Sequence, residues 1–406
     1  MEMTAFDPEL TLPDMPDPWV STSEPSPRSG PPFHMTEMIE AEPAIAARIL
    51  GRHEAVGSGA AELARVIKRT VRAGDRVVVT GCGTSEHAAL GVADILRDAI
   101  RRADVRPPGH AARHEPVAEQ AFELSLDPAS SGLVIAISHE GGTAATNAAL
   151  EASKAAGART AIITCTARSP GGALADLVVE TGELDQSWCH TVGYLSPLVA
   201  ASGVAAHLTG GDVDASLRDA VRAVVAAGVD RANVTEAVAG RLAERGSIVV
   251  IASGADRTAG RELTLKIEEG TWIPTAYRDL ETFLHGHLAA THEAQGLVLI
   301  LSDRVARDAR LQRATGALRA ARTIGMEAAA ILTADAAVDV PTELTPAGRI
   351  VIPEAPSLPS PVAALLGTAT PLQLLTERIA RSRGVNPDAI HRDVDRYRDA
   401  ADAAEG

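Results

Sequence analysis

The sequence predicts an α/β protein made of two similar, doubly wound parallel sheets. Short aliphatic runs of strand length recur along the chain, alanine-rich helical stretches separate many of them, and their order repeats in the two halves. The first set is Arg76–Thr80, Leu133–Ile137, Thr160–Thr164 and Leu177–Glu180. The second is Ser247–Ala252, Leu297–Leu301, Ala328–Leu332 and Arg349–Ile352. Successive starts lie 57, 27 and 17 residues apart in the first set and 50, 31 and 21 in the second. Strands alternating with helices imply right-handed crossovers and parallel sheets, and the repeated spacing implies a duplicated domain.

Composition supports this reading. The chain has 406 residues, more than one ordinary domain holds, and it is 46% apolar but only 2% aromatic. Its core must therefore be aliphatic, as suits parallel strands covered by helices on both faces. A net charge of −15 argues against a nucleic-acid partner, which would need a basic footprint. Local amides and hydroxyls could still bind one phosphate. The cysteines Cys82, Cys165 and Cys189 are odd in number and lack CxxC spacing, which fits a reducing, cytoplasmic setting. We see no stretch long and apolar enough to span a membrane, and the acidic start Met1-Glu2-Met3 is not a secretory signal.

Taken in order, residues 1–33 are crowded with proline, acid, serine and glycine and read as a flexible, disordered arm. A helical pattern starts at Met35, with Thr36 a candidate N-cap. The first domain is expected over 34–212, with Gly210-Gly211-Asp212 closing it, and the second over 213–370. A helical tail fills 371–406, broken at Gly384-Val385-Asn386-Pro387.

Open α/β sheets bind ligands beyond the carboxyl ends of their strands. The first such turn, Gly81-Cys82-Gly83-Thr84-Ser85, offers close backbone approach and two hydroxyls, although glycines after strands are also ordinary turn residues. The second, Ser138-His139-Glu140-Gly141-Gly142-Thr143, precedes the helix Ala144–Ala156. Its amides and hydroxyls suit an anion, although Ser138 and Thr143 could instead simply cap the helix. Two such turns on consecutive strands converge on one crevice. Further on, Lys266 and Glu269 share a helix face, as either a solvated ion pair or a site. His285, His287, His292 and Glu281 lie close in sequence, but their spacing is not that of a zinc helix, and no metal or cofactor is expected.

The two turns resemble those of the SIS (sugar isomerase) family, here as Gly81-Cys82-Gly83-Thr84-Ser85-Glu86-His87-Ala88-Ala89 and Ile137-Ser138-His139-Glu140-Gly141-Gly142-Thr143. The resemblance covers roughly residues 35–390 and implies two tandem SIS domains of flavodoxin-like fold. It implies a phosphosugar held by Gly83, Thr84, Ser85, Ser138, His139, Gly141, Gly142 and Thr143, with Glu183 and Thr191 contacting the sugar. It makes Glu269 the carboxylate that moves a proton between C1 and C2, Lys266 its electrostatic partner and His285 the ring-opening group. A homodimer with the site near the subunit interface is also implied. The sequence departs from the family at Glu140, where a serine is usual. It departs again at Trp188-Cys189-His190, where Ser, Thr and Lys are usual and where a core Trp and a surface His are the preferred readings. After Gly384-Val385-Asn386-Pro387-Asp388 no lysine follows, and His391 or Arg392 is left to serve. Members that release ammonia from glutamine carry a Cys after Met1; here Glu2 follows, so that step is not expected.

The expected function is isomerisation of a sugar phosphate, or removal of the amine from an amino-sugar phosphate. The alternative is a non-catalytic module that senses a phosphosugar for a partner. A nicotinamide-dependent oxidoreductase would need a GxGxxG turn, and Gly81–Glu86 ends in Glu.

Overall fold

The computed structural model describes residues 6–13, 25–105 and 115–405. Helices α1 (His34–Arg52) and α2 (Gly59–Arg72) lead into the first sheet. There follow β1 (Val77–Gly81), α3 (Thr84–Ala103), β2 (Val117–Gln120), α4 (Ala121–Leu126), β3 (Leu133–Ile137) and α5 (Ala144–Ala156). The unit closes with β4 (Arg159–Thr164), α6 (Pro170–Leu174), β5 (Val178–Glu180) and α7 (Val192–Leu208). Helices α8 (Ala215–Val229) and α9 (Ala232–Leu242) then open the second unit. It runs through β6 (Ser247–Ala252), α10 (Asp256–Thr271), β7 (Thr275–Asp279), α11 (Leu280–Leu284), β8 (Gln295–Leu301) and α12 (Arg307–Ile324). The chain ends with β9 (Glu327–Thr333), α13 (Ala334–Asp339), β10 (Gly348–Ile352), α14 (Ser360–Arg383) and α15 (Asp395–Glu405).

Each sheet has five strands, ordered β2-β1-β3-β4-β5 and β10-β9-β8-β6-β7, with every pairing parallel. The two orders are the same doubly wound pattern, as the repeated spacing predicted. The sequence showed four strands per sheet. The fifths, Val-Ala-Glu-Gln in β2 and Thr-Ala-Tyr-Arg-Asp in β7, are half-buried edge strands without an apolar run. An edge strand needs neither the continuous hydrophobicity of β3 nor that of β8.

Between the sheets, α3 packs on α7, α10 on α14, and α10 on α3. Helices α7 and α14 are buried on nearly every side, which explains the small and aliphatic residues that dominate both. Two hydroxyls inside α14 are satisfied within the helix: Thr368 donates to the Ala364 carbonyl at 2.7 Å and Thr376 to that of Leu372 at 3.1 Å. At Gly91 of α3, a Cβ would lie 2.6 Å from Leu198 of α7 and 3.2 Å from Leu365 of α14. Only glycine lets these helices approach so closely.

Three local expectations differ from the structure. The first helix is capped by Phe33; Thr36 stands at its third position, where its hydroxyl accepts from the Phe33 amide at 3.1 Å. The last long helix begins at Ser360 and carries Pro371 inside it. The described parts of the arm lie along the domain. Leu12 is buried, its amide donates to Glu183 at 3.0 Å, and Arg48 holds the Glu9 carbonyl at 3.0 Å. The rest of the arm, residues 1–5 and 14–24, lies outside the described residues. Among the described residues no helix is long and apolar enough to cross a membrane.

Candidate active site

The chain reverses direction between β1 and β3, and there the two glycine-rich turns meet. Gly81 ends β1, where a Cβ would fall 2.6 Å from the Ser85 carbonyl oxygen, and Gly83 takes φ +56° at the head of α3. After β3, Ser138 Oγ accepts the Gly141 amide at 3.1 Å and stands 3.4 Å from the Thr143 hydroxyl. Gly141, with φ +77°, is backed by Ser169, so no larger residue fits. Thr143 caps α5 without using its own side chain, which leaves its hydroxyl and the first α5 amides turned to the cavity. The cavity holds about 880 Å³. Gly83, Thr84, Ser85, His139, Gly142, Thr143 and Glu269 all line it, whereas Ser138 and Gly141 support it from behind.

Helix α10 supplies a line of charge beneath these turns. Lys266 is fully buried, with Nζ 2.6 Å from Glu269 and 3.7 Å from Glu262. Glu262, also buried, accepts from Thr84 at 3.3 Å and lies 2.8 Å from His87 Nδ1. Burial alone would raise the Glu262 carboxyl, but the Lys266 charge and the bonds from His87 and Thr84 hold it below its ordinary value. Lys266 is opposed by burial, yet its two carboxylates carry its pKa well above the usual lysine range. Glu269 is raised by burial, with Lys266 pulling the other way. The result is a fixed cation, a fixed anion and one carboxylate on the cavity whose proton affinity is increased. The exposed ion pair that the spacing allowed is thus a buried network joining the two domains.

The departures from the family motifs face the same space. Glu140, Trp188, His190, Ile390 and Arg392 line the cavity. His139 Nε2 accepts from the Asp185 amide at 2.9 Å, so the ring proton sits on Nδ1. Burial lowers His139 and His190 to about 4, and both are neutral imidazoles at neutral pH. Burial raises Glu140, and Asp185 adds to the effect. Asp185 itself is buried and accepts the amides of Ser187, Thr191 and Gly193 at 3.3, 2.7 and 3.1 Å. It shapes the segment leading into α7. Sequence reasoning passed over it, because an acid bonded only to nearby amides leaves no pattern.

Three candidates lie elsewhere. Glu183 is bound by the Arg48 guanidinium at 2.6 and 2.8 Å and by the Leu12 amide, so its carboxylate fastens the arm. Thr191 is fully buried off the cavity and gives its carbonyl to Gln373 at 3.1 Å. His285 lies beyond α11, its side chain 71% exposed and 2.8 Å from Glu281.

The second sheet has the corresponding crevice, about 670 Å³, beyond β6 and β8. There the chain's own carboxylates occupy the amides. Asp256 accepts from the amides of Ser302 and Asp303 at 2.7 and 2.9 Å and from the Ser302 hydroxyl. Asp303 accepts from the Ala255 amide at 3.0 Å and from Arg310 at 2.9 Å. The first crevice keeps its donors open and the second does not.

Fold and site together define a duplicated, doubly wound α/β protein with a crevice at each switch point, of which, among the described residues, the first keeps its turn amides unoccupied by the chain's own carboxylates. Residues 71–202 match the SIS domain family, and the chain as a whole has the tandem-domain fold of the solved structures below. It is 27% identical over 375 residues to the isomerising glutamine–fructose-6-phosphate aminotransferase of Streptomyces coelicolor. That alignment covers 88% of this chain but 57% of the relative's length. The C-terminal domain of glucosamine-fructose-6-phosphate aminotransferase from Francisella tularensis superposes with TM-score 0.73 at 19% identity, covering 88% of this chain and 98% of that one. Tagatose-6-phosphate ketose/aldose isomerase from Escherichia coli gives 0.65 at 18%, covering 90% and 98%. Glucosamine-6-phosphate deaminase from Thermotoga maritima gives 0.58 at 16%, covering 85% and 96%.

Proposed function

We propose that the chain is a SIS-type enzyme that moves a proton between C1 and C2 of an opened sugar phosphate or amino-sugar phosphate. The observation that carries the reading is the Glu269 carboxylate, open to the cavity, raised by burial and bonded to the buried Lys266 at 2.6 Å. Such a carboxylate can take the C2 proton and return it to C1. The Lys266 charge stabilises the enediolate that forms between these steps. The turns at Gly83–Ser85 and Gly142–Thr143 hold the sugar and its phosphate, and the relatives named above act on 6-phosphosugars or their amines.

His285 completes this reading from a second copy of the chain, because its own copy holds it outside the cavity. The expected assembly is a homodimer. Replacing Glu269 by Gln tests the proposal. Deuterium uptake at C1 and C2 of fructose 6-phosphate or glucosamine 6-phosphate in D2O, followed by NMR, should fall by at least about a thousandfold, while affinity for the ligand changes little. Exchange that persists in Glu269→Gln sinks the assignment. A sensor without chemistry is the second reading, favoured by Glu140 in the phosphate turn; it predicts ligand binding with no exchange in the wild type.

A further inference from the structure

The segment between α14 and α15 is fastened at both ends. Asp388 receives the amides of His34 and Met35, at the start of α1, at 2.9 Å each, and its carbonyl accepts the Trp188 amide at 3.0 Å. Three residues on, the His391 ring lies between two aromatic rings. Trp272 stacks on one face at 3.7 Å between centroids and 10° between planes, and Tyr397 covers the other at 3.8 Å and 24°. In a chain with 2% aromatic residues, this concentration calls for a reason.

Backbone strain converges on the same point. Trp272, Ile390 and His391 take φ values of +61°, +42° and +67°. Such left-handed conformations are unfavourable for non-glycine residues and persist only where the surroundings impose them. Of the five non-glycine residues with positive φ in the described chain, three sit in this one cluster. Trp272 ends α10 three residues after Glu269, so the stack ties the segment to the helix that carries the candidate base. The next residue, Arg392, lies on the cavity with its guanidinium 5.4 Å above the Trp188 ring. No carboxylate pairs with Arg392 among the described residues, whereas Lys266 is ion-paired with Glu262 and Glu269. Arg392 is therefore the unpaired cation of this cavity.

We infer that Arg392 contacts an oxyanion of the ligand, and that the Trp272–His391–Tyr397 stack is the device that positions it. Only the identity of the probes rests on the sugar-phosphate reading. His391 is a positioning residue: its ring, held face to face, sets the backbone turn that aims the following side chain over Trp188. The flat, delocalised guanidinium suits this place, because it can lie on the indole and still present donors to an oxyanion.

The test pairs two measurements on His391→Ala, Tyr397→Ala, His391→Phe and Arg392→Ala. Hydrogen exchange of the amides at 388–392, read by mass spectrometry, should accelerate in the two alanine stack variants and return to the wild-type rate in His391→Phe. Affinity for fructose 6-phosphate should fall about tenfold in His391→Ala and at least as far in Arg392→Ala, with His391→Phe restoring it. A purely structural stack would lower thermal stability without this ordered loss and rescue of affinity. Unchanged exchange in His391→Ala overturns the positioning role. Wild-type affinity in Arg392→Ala overturns the contact. If the wild type binds neither fructose 6-phosphate, glucosamine 6-phosphate nor inorganic phosphate, the contact with Arg392 and the sugar-phosphate reading both fall, and hydrogen exchange alone decides the stack.

Discussion

Glu269 and Lys266 are three residues apart, close enough for a helix to bring their side chains together, and burial then decides what the pair can do. Their types and spacing were legible in the sequence. Their depth was not, because Glu262 and Lys266 share the buried side of α10 with Leu263 and Ile267, and a charged pair is normally read onto the solvent side. Glu42 carries the same lesson without a role in the cavity. It is fully buried in α1, and burial pushes its carboxyl well above the ordinary value of 4.5. The folded protein therefore keeps a proton that the unfolded chain loses above that value. The native state binds more protons, so this group's contribution to stability is complete below about pH 4.5 and declines as pH rises towards the folded value. Glu42→Gln retains the shape of the neutral acid and removes the titration. Its urea midpoint should exceed that of the wild type at mildly alkaline pH, and the difference should vanish below about pH 4.5. A constant difference across that range would show that Glu42 does not titrate with folding.

Helices and strands were read well where one pattern governs a whole element. The eight aliphatic runs became eight strands, while β2 and β7 stayed hidden because an edge strand carries no such run. The segment at 384–394 was visible as a break after α14, and Arg392 as a possible cation, but its fastening depends on Trp272, more than a hundred residues away. No local pattern reports such a contact. Helix packing has the same character. Gly91 reads as a weak spot in α3, yet in the structure it is where α3 meets α7 and α14. Gly91→Val would force its methyls against Leu198 and Leu365, and overpacking a rigid core costs about 1–3 kcal/mol. Valine's better helix propensity returns only a few tenths. A net loss of about 1–2 kcal/mol should appear as a lower urea midpoint with an unchanged slope. Stability equal to that of the wild type would mean that the helices can separate at little cost.

At the scale of the molecule, the duplication has produced two crevices with different fates. Asp256 and Asp303 satisfy the amides of the second, whereas the turns of the first keep theirs free for the ligand proposed above. Among the described residues that crevice is lined by Glu269 and Arg392 and by two imidazoles, His139 and His190, that burial lowers to about 4. His285 is an exposed imidazole on the second domain, and a symmetric dimer can carry it into the partner's cavity. This arrangement has a consequence that a self-contained site does not share. Glu269→Gln and His285→Ala should each be inactive as pure dimers. When the two are unfolded together, refolded and allowed to pair at random, half of the dimers contain one chain of each kind. In every such mixed dimer, one cavity combines an intact Glu269 with an intact His285, and the other has lost both. Activity should return to roughly a quarter of the wild-type value per chain, as two-fold symmetry requires. If the mixture stays inactive while native mass spectrometry shows that mixed dimers have formed, His285 serves its own chain's cavity or none.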